Sequence, residues 1–148
     1  ADTPEGKEGR FHMAQIAYKE GPDAIADIMI PKLLSPSTIQ TRPEVVQKVR
    51  LMIEGNQISG IAGDLMAMAE RPDSVPLLRQ ITCPTQIIVG ELDLATPPSD
   101  AELMATRIPG ARLAVIPDAS HLANLEQPDR FNQIVRSFAS DLAMERAR

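Results

Sequence analysis

The stretch Pro84-Thr85-Gln86-Ile87-Ile88-Val89-Gly90-Glu91-Leu92-Asp93 decides the fold. Residues 85–90 are rich in β-branched side chains, are apolar at successive positions and lie between a proline and a glycine. That is the pattern of a short strand buried on both faces. A second such run, Arg112-Leu113-Ala114-Val115-Ile116, stops at Pro117. Between them Pro97-Pro98-Ser99-Asp100 opens a helix that carries Ala101, Leu103, Met104 and Ile108 and closes at Pro109-Gly110. Pro128-Asp129 then opens a last amphipathic helix expected to turn Phe131, Ile134, Val135, Phe138 and Leu142 to the core. Strand, helix, strand, helix is a parallel βαβ unit with a closing helix, so the class is α/β.

Upstream the grammar differs. Thr3-Pro4-Glu5 combines an N-cap, a proline at the first helical position and an acid in the first turn, and the helix should stop near Gly21. A second helix follows Pro22-Asp23 and is bent or ended by Pro31. Leu33-Leu34-Ser35-Pro36-Ser37 reads as a loop. Val45, Val46, Val49, Met52 and Ile53 resume helical spacing after Pro43-Glu44, and residues 57–70 form the next helix. Residues 1–73 are therefore expected to be four helices without a strand, and residues 74–148 the α/β part.

A parallel sheet normally has both faces covered and more than two strands. An apolar strand with one open edge is sticky, so two strands read as the margin of a larger sheet. The expectation is that strands preceding Ala1 are missing, and that the open edge meets either that missing N-terminal half or a second copy of the chain.

Composition narrows the class. The 148 residues are 43% apolar and 24% charged, with 15 Lys and Arg against 20 Asp and Glu, for a formal net charge of -5. This is a foldable chain without the basic face of a nucleic-acid binder. No apolar run reaches the roughly 18 residues of a membrane span. The first ten residues are polar where a secretory signal would be apolar, which leads to an expected cytoplasmic location without membrane partners. One cysteine, Cys83, and two separated histidines, His12 and His121, give no intrachain disulfide and no metal-ligand spacing, so no metal site is expected.

In open parallel sheets, ligands bind at the carboxyl ends of the strands. Asp93 follows the first strand by three residues and His121 follows the second by five. A parallel connection puts both strand ends on one side, so an acid and an imidazole can meet there as an acid orienting a general base. Taken singly, each residue also reads as an ordinary turn, capping or surface residue. Their value as a pair rests on geometry. A nucleophile is not found: a nucleophile elbow needs Gly-x-Ser-x-Gly. Ser59 is flanked by Gln57 and Ile61, and Ser120 adjoins His121. Cys83 stands at the wrong end of its strand and His12 reads as solvated.

The segment Ile81-Thr82-Cys83-Pro84-Thr85-Gln86-Ile87-Ile88-Val89-Gly90-Glu91-Leu92-Asp93, with Thr96-Pro97-Pro98 after it, resembles the acid segment of α/β-hydrolases. Ile108-Pro109-Gly110 through Pro117-Asp118-Ala119-Ser120-His121, then Glu126-Gln127-Pro128-Asp129-Arg130-Phe131, is similar to that family's histidine segment. Ser120 departs from the glycine common before the histidine. By this resemblance Asp93 corresponds to the catalytic acid and His121 to the general base. Residues 1–73 resemble, more loosely, the mobile helical cap of hydrolases similar to 3-oxoadipate enol-lactonases. In such a cap Met13, Met29, Met52, Met66 and Met68 could line an adaptable apolar pocket, or simply pack helices.

What the resemblance implies is the C-terminal part of an α/β-hydrolase fold, with a helical cap followed by a parallel βαβ unit and closing helix. It would contribute acid and base to hydrolysis of a small apolar or amphiphilic carboxylic ester or lactone, with the nucleophile supplied by an absent N-terminal half and no metal or organic cofactor implied. A different class of reading is a non-catalytic truncated hydrolase acting as an oligomerising interaction module. A third keeps the hydrolase but moves the reaction to a C–C bond or a halide-bearing carbon. The residue at the nucleophile position, Ser or Asp, would separate esterases from dehalogenases and epoxide hydrolases.

Overall fold

The computed structural model describes residues 1–146 of the chain. Helices α1 (Pro4–Glu20), α2 (Pro22–Leu33), α3 (Pro36–Thr41), α4 (Pro43–Glu54) and α5 (Ile58–Glu70) come first. A 3-10 turn (Val75–Gln80) leads to β1 (Gln86–Gly90), α6 (Pro98–Arg107), β2 (Arg112–Ile116), α7 (Ala123–Glu126) and α8 (Pro128–Arg146). No helix among the described residues is long and apolar enough to cross a membrane.

Two compact units result. The first comprises Ala1–Pro31 and Pro43–Ser74. Its α1 is started by Thr3, whose hydroxyl accepts from the Gly6 N–H at 3.1 Å, and is ended by Gly21 at a φ of 84°. Helix α1 packs along α5, where Ala14, Ala62 and Leu65 are buried and Met13, Met66 and Met68 close around them. Asp2 bridges the two helices' ends: it accepts from Arg10 Nε at 2.9 Å and from Arg71 at 2.7 Å. The hydrogen bond from Arg10, then that from Arg71, holds its carboxyl below the ordinary range against a small opposing effect of burial.

The second unit comprises Lys32–Arg42 and Val75–Arg148. Strands β1 and β2 are parallel, in register from Gln86 opposite Arg112 to Gly90 opposite Ile116. The alternation of a strand sends Ile87 and Val89 to one face, against Ala101 and Ile108. Ile88 packs on the other with Ile116, Phe131 and Ile134. Helices α6 and α8 thus supply the two covers that an apolar parallel strand needs. Among the described residues β1 pairs with β2 alone.

Several expectations are corrected. The segment read as a loop is the start of α3: Ser35 is its N-cap, accepting from the Thr38 N–H at 3.2 Å, and Pro36 takes the first helical position. Residues 1–73 therefore hold five helices, not four. Pro31 lies inside α2 without ending it, two residues before the helix stops. Residues 32–42, read with the helical region, group with residues 75–148. Val135, expected in the core, is 42% exposed on α8.

Candidate active site

The site is built where β1 and β2 end. Because the strands are parallel and in register, Gly90 and Ile116 finish side by side. The Glu91 N–H donates to the Ile116 carbonyl and the Leu92 N–H to the Ala119 carbonyl, both at 2.9 Å, so the two following loops are laced together. Asp118 turns the second loop with a φ of 56°, a left-handed conformation that aspartate tolerates better than most residues. This turn brings the backbone of Ala119 and Ser120 across the end of β1. A Cβ at position 90 would lie 2.1 Å from the Ser120 carbonyl oxygen and 2.4 Å from that of Ala119, so only glycine fits.

Asp93 and His121 then meet. Oδ2 of Asp93 accepts from His121 Nδ1 at 2.9 Å and from the Thr96 hydroxyl at 2.9 Å. Oδ1 accepts from the N–H groups of Ala95 and Thr96, each at 2.8 Å. A carboxylate bonding to backbone N–H groups two and three residues ahead makes a rigid Asx-type turn. The side chain is 4% exposed and fully occupied. Burial pushes the Asp93 carboxyl up, but the Thr96 N–H, the His121 ring and the Thr96 hydroxyl outweigh it and hold the group below the ordinary 3.8.

An ionised carboxylate accepts only, so the proton of a neutral His121 sits on Nδ1 and the Nε2 lone pair is free. The Thr96 hydroxyl, 3.2 Å from Nδ1, braces the same ring nitrogen. The His121 side chain is 35% exposed. It borders a cavity of about 160 Å³ lined also by Asp93, Thr96, Met104, Asn124 and Phe131. This is an acid orienting an imidazole whose second nitrogen can take a proton.

Other residues considered in the sequence do not join the pair. Ser59 is exposed on α5, His12 is exposed on α1 and Cys83 is exposed ahead of β1. Ser120 is buried, with its hydroxyl donating to the Leu92 carbonyl at 3.1 Å. Of the five methionines, Met13, Met66 and Met68 pack helices, and Met52 is 57% exposed. Two further residues of the site, Thr96 and Glu126, stand in the family-like segments but carry no assigned role in the sequence analysis. Glu126 is 3% exposed and accepts from the Ser120 N–H at 2.6 Å.

Comparison with known proteins gives the context. The chain is 32% identical over 124 residues to 3-oxoadipate enol-lactonase 2 of Acinetobacter baylyi, covering 84% of this chain and 46% of that protein. Among solved structures, an esterase from Thermogutta terrifontis is 44% identical with a TM-score of 0.89, over 95% of this chain and 52% of that one. The enol-lactonase from Burkholderia xenovorans LB400 is 30% identical with a TM-score of 0.84, over 94% and 52% respectively. The chain thus spans about half the length of the relatives it matches. A profile of the alpha/beta hydrolase family matches residues 10–134, and with the parallel strands and their terminal loops in place the chain belongs to that family.

Proposed function

We propose that the chain supplies the acid and the general base of a hydrolase that cleaves carboxylic esters or lactones through an acyl-enzyme. The carrying observation is the 2.9 Å bond between buried Asp93 and the Nδ1 of half-exposed His121, at the carboxyl ends of two parallel strands. The esterase and enol-lactonases among its relatives support the substrate class.

In this mechanism Nε2 of His121 takes the proton of a serine hydroxyl supplied by a segment outside residues 1–148 as the oxygen attacks the acyl carbon. The imidazolium then gives that proton to the leaving alkoxide. A water molecule, deprotonated by the same nitrogen, then attacks the acyl carbon, and the imidazolium returns the proton to the serine oxygen as the serine–acyl bond breaks and the acid product leaves. Asp93 keeps the Nδ1–H tautomer and stabilises the imidazolium while remaining ionised. Residues 1–73 act as the helical cap over an apolar or amphiphilic substrate. A second reading, an oligomerising module without catalysis, draws support from the single paired edge of β1.

A serine-directed phosphonate and a short-chain aryl ester separate the two. The chain alone is expected to be neither labelled nor active. With a serine-bearing N-terminal half, turnover is expected, and His121→Ala should lower kcat by about 10³ to 10⁶. Asp93→Asn, which favours the wrong tautomer, should cost about 10⁴. Turnover unchanged in His121→Ala would overturn the assignment, and no turnover with any such half would favour the module.

A further inference from the structure

Among the described residues of the second unit, Glu126 is a carboxylate buried at 3% exposure that lies outside the Asp93–His121 pair. Its two oxygens go to two backbone donors that are far apart in sequence. Oε1 accepts from the Ser120 N–H at 2.6 Å, the peptide that joins Ser120 to Ala119 and directly precedes His121. Oε2 accepts from the Ser35 N–H at 2.8 Å, at the start of α3. Its own carbonyl accepts from Arg42 Nη1, at the end of α3, at 2.7 Å. The same two segments are tied twice more: the Leu122 N–H donates to the Leu33 carbonyl at 3.1 Å, and the Ser120 hydroxyl approaches the Lys32 carbonyl at 3.4 Å. His121 therefore stands in a loop pinned on both sides to residues 32–35.

We propose that Glu126 is a positioning residue for His121, a carboxylate clamp that locks the histidine loop to the start of α3. The proposal rests on the reading of His121 as the base, and it deepens that reading by naming what holds the imidazole over its partner from behind. Asp93 fixes the ring through Nδ1, but a ring can pivot about that bond if its backbone shifts. Holding the preceding peptide N–H removes that freedom. Only a carboxylate can do this for two converging N–H groups, because both of its oxygens accept, whereas an amide turns one of them into a donor facing an N–H. Burial makes the loss expensive, since neither donor would find water in its place. The consequence is that residues 32–42 and the histidine loop behave as one element.

Hydrogen exchange read by mass spectrometry tests this in Glu126→Gln, which keeps volume and removes one acceptor. Peptides covering residues 117–123 and 33–38 are expected to exchange at least about tenfold faster than in the unaltered chain, while α4 and α8 keep their protection and report an intact fold. Ser35→Ala is the control: it removes the α3 cap hydroxyl but keeps the N–H bonded to Glu126, so it should loosen residues 36–41 and leave 117–123 unchanged. With the serine-bearing half present, Glu126→Gln is expected to lower kcat about 10- to 100-fold with KM within about twofold, the mark of a misplaced base and not of a lost pocket.

Unchanged protection in both loops would overturn the clamp. So would opening of residues 117–123 in Ser35→Ala to the same extent, because α3 stability and not the carboxylate would then hold the loop. A clamp seen by exchange together with full activity in His121→Ala would leave the clamp standing and remove the catalytic reading, so the two failures are distinguishable.

Discussion

At the scale of single residues, four donors surround the buried Asp93 carboxylate and favour its ionised form. A carboxyl held below 3.8 in the folded chain binds fewer protons folded than unfolded. Its contribution to stability is therefore present in full above its unfolded value and is lost as the pH falls through its folded value. Denaturant titrations at fixed protein concentration across about pH 2 to 6 should show stability falling on the acid side, with a flatter fall in Asp93→Asn. Parallel acid limbs in the two proteins would mean that the donors around Asp93 do not favour its charged form. The residue also shows how the candidate site was legible: an acid three positions past one strand and a histidine five past the next suffice, because parallel topology alone brings strand ends together. Thr96 and Glu126 were not legible in the same way. Their partners are backbone N–H groups, which every residue carries, and Glu126 reaches one of them 91 positions away. The signal for both is the resemblance itself, since Thr96-Pro97-Pro98 and Glu126-Gln127-Pro128 belong to the family-like segments.

Several element ends marked by proline or glycine agree with the sequence to within a residue, the end of α2 near Pro31 being an exception. Strand β1 ends at Gly90, β2 at Ile116 before Pro117, and α8 begins at Pro128, because these residues stop or start backbone patterns irrespective of their surroundings. Helix α3 escaped because six residues are too few for a periodicity, and Ser35-Pro36 is as good a turn signal as it is a helix start. Beyond its local Ser35 cap, both its ends are tied to Glu126 by tertiary hydrogen bonds, from the Ser35 N–H and from Arg42, that no local pattern contains. The same dependence on packing sets the cost of altering a strand end. Gly90→Ala places a methyl group 2.1 Å from the Ser120 carbonyl oxygen and 2.4 Å from that of Ala119, which the Leu92 N–H holds in place. Either β1 or the histidine loop must move, which is expected to cost about 1 to 3 kcal/mol, the range for an overpacked core. Thermal unfolding measures the loss, and a midpoint within a degree of the unaltered protein would show that the loop yields freely.

For the whole molecule the open question is what lies beside β1. Ile87 and Val89 are buried on one face and Ile88 is packed on the other, so its side chains are provided for. Its backbone is provided for on one edge only: β2 is its sole strand partner among the described residues, in register over all five positions. The cavity of about 160 Å³ runs along Ile87, Ile88, Val89 and Gly90, so this strand borders open space for most of its length. Unpaired N–H and C=O groups on an apolar strand recruit another strand, and two sources fit: an N-terminal half of the same hydrolase or a second copy of this chain. When the chain is produced by itself the second source is the one at hand, and two β1 edges meeting across a two-fold axis would form a four-stranded sheet. Light scattering of the isolated chain at micromolar concentration is therefore expected to report a dimer or larger assembly, and addition of a serine-bearing half should convert it to a one-to-one complex. A monodisperse species of 16.1 kDa that unfolds cooperatively would overturn this argument. The edge of β1 would then have to be tolerated in water, leaving Asp93 and His121 to be judged by turnover alone.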